Sequence, residues 1–379
     1  MPKTIKIMAA LFLVVTLVLS FSAGCTLGSR AASSSDLGRG VVGEAWDVVF
    51  QRYVEKDRLD ASQLSQAAIK GMVTALNDPY TSYLDNKHYQ VTLEQFNGEF
   101  EGIGAYVEMK DRQIVIIAPI PDSPAARAGI RAGDIILKID DNVTSGMSLE
   151  VAVLNIRGPK GTSVKLLVQH QGETEPKEIE VVRAAIEVPS VDLKMKGDIA
   201  LISTRSFSGN TDEELTKVLE STAQAGATGI ILDLRNNPGG LLDQVVDVAS
   251  HFIKEGIVLH VVDNQGKKTT LSVNHQDLNT ELPMIVLVNN YSASGSEVLS
   301  GALQDHKRAA IAGIQTYGKG SVNTLYKLSD GSGLYITIAR WLTPDGRAIE
   351  GKGITPDYEL KLEGDDAVQW AIDYLKGKK

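Results

Sequence analysis

Residues 283–305 read PMIVLVNNYSASGSEVLSGALQD: an apolar run, a turn of small and polar residues, then apolar positions at helical spacing. A short run without alternation suits a strand covered on both faces, and the three- and four-residue spacing after Ser294 predicts a helix. Residues 229–242, GIILDLRNNPGGLL, repeat the order of strand, turn and helix. From Val188 onward strands and helices alternate: ALISTRSF, a helix over 212–224, GIILDLRNN, a helix over 241–253, PMIVLVNN and the helix after Ser294. That alternation predicts an α/β core.

Upstream the pattern changes twice. Between 100 and 184 come short β-branched strands (IVIIAPI, DIILKID, SVKLLVQ, EIEVV), Gly-rich turns and one short helix over 148–156, which together predict a small β-rich module. Between 40 and 95 the apolar positions of VVGEAWDVVFQRYV and LSQAAIKGMVTAL fall at helical spacing until Asn77, Asp78 and Pro79 break it. The chain therefore reads as multidomain: a targeting segment at 1–25, a flexible tether at 26–39, a helical region at 40–97, the β-rich module at 98–184, the α/β core at 185–362 and a C-terminal helix at 363–379.

With 379 residues, 43% of them hydrophobic, the chain can bury two or three cores. Its 38 basic and 47 acidic residues give a net charge of −9 with the excess scattered, which argues against nucleic acid and toward peptides or small solutes as partners. One cysteine permits neither an intramolecular disulfide nor a Cys-based zinc site. The six histidines never adopt helix-borne metal spacing, so neither a metal nor a cofactor is expected. Lys3 and Lys6 precede an apolar run of 15 residues from Ile7 to Phe21, followed by Ser22, Ala23, Gly24 and Cys25. This is the layout of a secretory signal, and the run is short of the roughly 20 residues that span a bilayer. The ending resembles a bacterial lipoprotein box, with Ser22 where that pattern usually has Leu. Lipidation at Cys25 is the reading adopted, with an uncleaved anchor or plain secretion as alternatives. In each case the folded part is expected outside the cytoplasm, in a periplasm or at a cell surface, held to the membrane through its N-terminus.

The segment EGIGAYVEM, followed by APIPDSPAARAGIRAGDIILKIDD, resembles the PDZ domains of bacterial proteases. The resemblance implies a carboxylate-binding loop at Gly102, Ile103 and Gly104, and a peptide groove between a strand at Ala105 to Val107 and the helix carrying Leu149, Ala152, Val153 and Ile156. A tail would add there as an extra strand with its last side chain in an apolar pocket. Arg157, at the end of that helix, is either a charge favourable to a helix C-terminus or a link from this module to the core.

Two turns in the core carry groups suited to chemistry. Pro238, Gly239 and Gly240 open a helix, where backbone N–H groups face anything negative. Ser294 stands at the other strand-to-helix turn, although Ser294 to Glu297 also spell an S-x-x-E capping box, which needs no catalytic role. A lysine in YGKGS follows 25 residues after Ser294. NPGG, SASGSE, TYGKGSVN, RWLTPDGRAIEGKGITPD and DPYTSYL together resemble the C-terminal processing peptidases, or tail-specific proteases, across essentially the whole mature chain. The resemblance implies a serine endopeptidase with Ser294 as nucleophile and Lys319 as general base. It further implies oxyanion donors at Gly239/Gly240 and Gly295, a supporting Asp305, and protein substrates with apolar C-terminal tails; a homo-oligomer is left open. A lysine accepts a proton only when neutral, a form that burial favours. Asn323 stands where the family usually has Gln, which leaves the geometry of the third catalytic member open.

Three other functions compete. Gly313 to Lys319 fit G-x-x-x-x-G-K, but a P-loop needs Ser or Thr next and Gly320 follows. A non-catalytic PDZ scaffold would have little use for Ser294, Lys319 and NPGG together. A triad through His306 would place the histidine beside Asp305 on one helix.

Overall fold

The computed structural model describes residues 34–377 apart from Pro121 and Ser148, so the targeting segment with Cys25 lies outside the described residues. The described residues through Ala68 and those from Ile69 onward form two compact units. The first holds the helix Ser34–Arg52, a 3-10 turn at Lys56–Arg58 and the start of the helix Ala61–Thr74. In the helix Ser34–Arg52, Trp46 and Phe50 stack four residues apart at 4.9 Å, whereas Val41, Val42, Val48 and Val49 are exposed. Among the described residues no helix is long and apolar enough to cross a membrane.

The second unit is built on a six-stranded sheet in the order Val191–Lys196, Ile199–Thr204, Gly229–Asp233, Met284–Val288, Ala310–Gly313 and Tyr358–Glu359, parallel except at its first pair. The two-residue alternation along each strand divides the apolar side chains between two layers. Ile230, Leu232 and Val286 pack with Leu215, Val245, Leu299 and Leu303 of three helices on one face. Ile231, Ile285 and Leu287 pack with Ala367, Val368 and Ala371 of the helix Gly364–Leu375 on the other. Every residue of Met284–Val288 is buried, as the unbroken apolar run requires.

The β-rich module has its own core and a sheet in the order Ala105–Lys110, Gln113–Pro119, Ile135–Ile139, Ser163–Gln169 and Lys177–Val182. The helix predicted over 148–156 is present at Leu149–Ile156. The chain enters and leaves the module through a two-stranded ribbon, Glu99–Gly102 against Ala184–Glu187.

The segment read as one helical region, 40–97, is divided: from Ile69 on it belongs to the second unit, and Ser82–Leu84 is a strand. It pairs with Gly333–Tyr335 at the edge of a further antiparallel sheet that also carries Ser321–Lys327 and Ile257–Asp263. Three residues after a Pro-containing turn show no period of their own, and only the partner strand supplies their hydrogen bonds. The helix Asn86–Asn97 follows.

Candidate active site

Ser294 follows the buried strand Met284–Val288 and precedes the helix Gly295–Asp305. Its φ of 50° lies where a residue with a Cβ is uncommon, so the surroundings must hold it there. The Ser292 hydroxyl donates to the carbonyl of Leu234 at 2.8 Å; the Ala293 N–H and the Ser296 hydroxyl both donate to the carbonyl of Asn237, at 3.0 and 2.9 Å. The turn of Ser294 is thereby fastened to the NNPGG turn at the end of the neighbouring strand. Ser296 is fully buried and occupied by this bond, and Ser294 is the half-buried serine that faces the cavity.

The two halves expected for an oxyanion site come together: a Cβ on Gly239 would stand 2.7 Å from the Gly295 nitrogen. One of the expected donors is engaged elsewhere. The Gly239 N–H donates to the Asn237 side-chain oxygen at 2.8 Å, which leaves Gly240 as the donor of that turn. Gly240 admits no side chain, since a Cβ there would collide with the carbonyl of Phe207.

Glu297 is fully buried, and its carboxylate accepts four hydrogen bonds. They come from the N–H groups of Ser294 and Lys319, both at 2.9 Å and to the same oxygen, and from the Gly318 N–H and the Thr316 hydroxyl, both at 2.6 Å. Burial pushes this carboxyl above its ordinary range while the four donors pull it back. Two N–H groups held by one oxygen stand no farther apart than two hydrogen bonds end to end, so Glu297 ties the serine turn directly to the lysine loop. The S-x-x-E spacing also reads as a capping box, and Glu297 accepts from the Ser294 N–H as that box requires; the link to a loop beyond the next strand has no signal in the spacing.

Lys319 is half-buried. Burial lowers its pKa from the ordinary lysine value, opposed by Glu350, Asp78 and Glu297. Its carbonyl accepts from the Trp341 indole at 3.2 Å. Gly320 packs so closely on the backbone of Glu350 that a Cβ would collide with it. Beside Ser294 lies a cavity of about 280 Å³ whose walls include Phe96, Leu242, Val298, Tyr335 and Trp341, with Gly240 and Gly295 at its edge. The pocket is largely apolar and fits one apolar side chain next to the serine.

Asn323 lines the same cavity, but the partners of its amide are the carbonyl of Tyr80 at 2.9 Å and the Thr337 hydroxyl at 3.0 Å; its oxygen accepts from Ser321 at 3.1 Å. Asp305 stands at the far end of the helix begun by Gly295, about 16 Å along its axis at 1.5 Å per residue. It accepts from the Asp345 N–H at 2.9 Å and pairs with Arg347, so it fastens the TPDGR loop. His306 bonds the carbonyl of Ile257 at 2.7 Å from that same far end, which removes the triad through His306. Gly313 to Lys319 lead into the strand Ser321–Lys327, so the helix start that a P-loop places on phosphate is missing.

In the β-rich module a groove of about 250 Å³ is lined by Gly102, Ile103, Gly104, Ala105, Val153 and Arg157, with Ile156, Ile186 and Val188. Gly104 has φ +74°, and a Cβ would stand 2.5 Å from that of Ser123. Leu149, expected in the groove, packs on the module's own core instead. Burial lowers the pKa of Arg157 and Glu94 raises it, so the charge facing Arg157 belongs to the helix Asn86–Asn97, outside the module. A hydrogen bond joins the helix Asn86–Asn97 to the groove helix, from Lys87 Nζ to Asn155 Oδ1 at 3.4 Å.

Comparison with known proteins agrees with this division. Residues 198–360 match the model of peptidase family S41, 115–170 match a PDZ domain, and 28–88 match the activating protease CtpB N-terminal domain. The carboxy-terminal-processing protease of Bartonella bacilliformis is 38% identical over 363 residues, 94% of this chain and 82% of that protein. A probable CtpA-like serine protease of Staphylococcus haemolyticus is 41% identical over 320 residues, 83% of this chain; the match spans 63% of that relative's length. Among solved structures, the photosystem II D1 C-terminal processing protease is similar with a TM-score of 0.52 at 29% identity, over 84% of this chain and 91% of that one.

Proposed function

The chain belongs to peptidase family S41, among the carboxy-terminal processing proteases, and from that membership we propose that it is a serine endopeptidase working through Ser294 and Lys319. The observation that carries the reading is the Glu297 carboxylate, which holds the backbone of both residues in one buried network. Lys319, in the neutral form toward which burial shifts it, takes the Ser294 hydroxyl proton as the oxygen attacks the scissile carbonyl. The oxyanion formed is met by the N–H groups of Gly240 and Gly295, at helix starts where the backbone favours negative charge. Lys319 then returns the proton to the leaving amine, and water hydrolyses the acyl-enzyme by the same route. The apolar cavity beside Ser294 suits an apolar residue on the acyl side of the cut.

Substrate selection is assigned to the PDZ groove, whose apolar lining and glycine-rich edge suit an extended apolar C-terminal tail added as a strand. Arg157 and its partner charge on the helix Asn86–Asn97 supply a route from groove to site, because Phe96 of that helix lines the Ser294 cavity. Anchoring outside the cytoplasm through a lipidated Cys25 completes the reading and rests on the sequence of the first 25 residues alone. Cleavage of a denatured protein bearing an apolar tail tests the chemistry. Ser294→Ala and Lys319→Ala are each expected to lose most turnover, with the double variant no worse, since nucleophile and base act as a unit. Full activity in either single variant overturns the reading.

A further inference from the structure

The Ser294 and Lys319 reading leaves the surroundings of the lysine side chain without a role, and they are built from a distant part of the chain. The segment Asp78–Leu84 is folded into a turn by Asp78, whose carboxylate accepts from the Tyr80 N–H at 3.1 Å and the Thr81 hydroxyl at 2.6 Å. It is then stitched down on three sides. The Thr337 N–H donates to Thr81 Oγ1 at 3.1 Å, Asn323 donates to the carbonyl of Tyr80 at 2.9 Å, and Ser82 pairs with Tyr335 in the sheet. The consequence is that two aromatic rings close on one amine: Lys319 Nζ lies 5.3 Å from the ring centre of Tyr80 and 5.6 Å from that of Tyr335. Both distances are within the range where a ring face attracts an ammonium.

We propose that Tyr80 and Tyr335 form an aromatic seat for the Lys319 amine, fixing its position and favouring its charged form, so that the rings help set the pH at which the base becomes competent. Tyr80 is then a positioning residue, and Asn323 acts on the lysine through Tyr80 by holding its carbonyl. The other charged or titratable groups around the seat are Glu297 on the helix Gly295–Asp305, Glu350 on the loop packed under Gly320, with Arg340 3.8 Å from it, Asp78 in the turn itself, and Tyr317, which acts on the Tyr80 hydroxyl. Glu297, Glu350 and Asp78 favour the ammonium as the rings do, and burial opposes them all.

The inference rests on the Ser294 and Lys319 reading, and the test separates the two. In the full chain, kcat/KM is measured against pH for the wild type, Tyr80→Phe, Tyr80→Leu and Ser294→Ala. Activity surviving in Ser294→Ala defeats the underlying reading. With that control inactive, Tyr80→Leu, which keeps an apolar cover but removes the ring face, is expected to move the acid limb down by roughly half a unit or more. Tyr80→Phe keeps the ring and is expected to keep the wild-type limb. An unmoved or raised limb in Tyr80→Leu overturns the seat, and so does a Tyr80→Phe limb that moves as the leucine variant's does. Should Tyr80→Leu fail to fold, the ε-proton resonances of Lys319 in Ser294→Ala decide: an upfield ring-current shift supports the seat, and its absence overturns it.

Discussion

Glu297 shows how much of the site rests on a residue whose local pattern suggested something plainer. Ser294, Lys319 and the NPGG turn stand out in the sequence through their resemblance to the C-terminal processing peptidases, and the structure fastens the two turns together. Glu297 was legible only as a cap, since its remaining partners, Thr316, Gly318 and Lys319, reach it by tertiary folding. Glu297→Gln places an amide N–H against backbone donors, and a buried donor without an acceptor costs about 1–3 kcal/mol. Loss of melting temperature by about that equivalent, together with a fall in kcat larger than any change in KM, is the expected result in calorimetry and steady-state kinetics. A variant with wild-type stability and kcat would remove Glu297 from the account. Asn323 illustrates the opposite limit: an amide expected at the lysine side chain bonds the backbone of Tyr80, because the strand Ser82–Leu84, invisible to periodicity, carries that carbonyl within its reach.

Among the elements, strands buried on both faces and helices with an apolar stripe were readable from their periods, and they include both strand-to-helix turns of the site. What the periods did not reveal was the short pieces, Ser82–Leu84 and Tyr358–Glu359, whose existence depends on a partner strand. The PDZ groove was readable as an element, yet its two glycines are not equivalent. Gly104 occupies a left-handed conformation against Ser123, whereas a Cβ on Gly102 would meet its nearest atom, Arg157 Cγ, at an ordinary 3.7 Å. Gly104→Ala should therefore destabilise by roughly 1–3 kcal/mol and abolish tail-peptide binding, while Gly102→Ala should fold normally. Thermal melts of the full chain and peptide titration distinguish them; equal behaviour of the two variants would mean that the groove edge is not shaped by Gly104.

At the scale of the whole molecule, the proposed coupling of tail recognition to cutting runs through Arg157 and the charge of Glu94 on the helix Asn86–Asn97. Arg157 also lines the groove, so its own substitution mixes two effects, but Glu94 stands outside that lining. Glu94→Ala is expected to slow cleavage of a tailed protein while leaving the affinity for an isolated tail peptide unchanged, a coupling on the order of 1–3 kcal/mol. Weakened peptide binding by the same factor would place Glu94 in the groove's support instead. Everything in this account depends on Ser294 being a nucleophile that Lys319 deprotonates, and that is measured without knowing the natural substrate. The full chain is exposed to a fluorophosphonate, and the modified peptide is mapped by mass spectrometry across pH. The expected adduct is on Ser294, its rate of formation rises through a single ionisation below the ordinary lysine value of 10.5, and it is lost in Lys319→Ala. Modification at Ser296 or elsewhere, or labelling of Ser294 at an undiminished rate without Lys319, would contradict it.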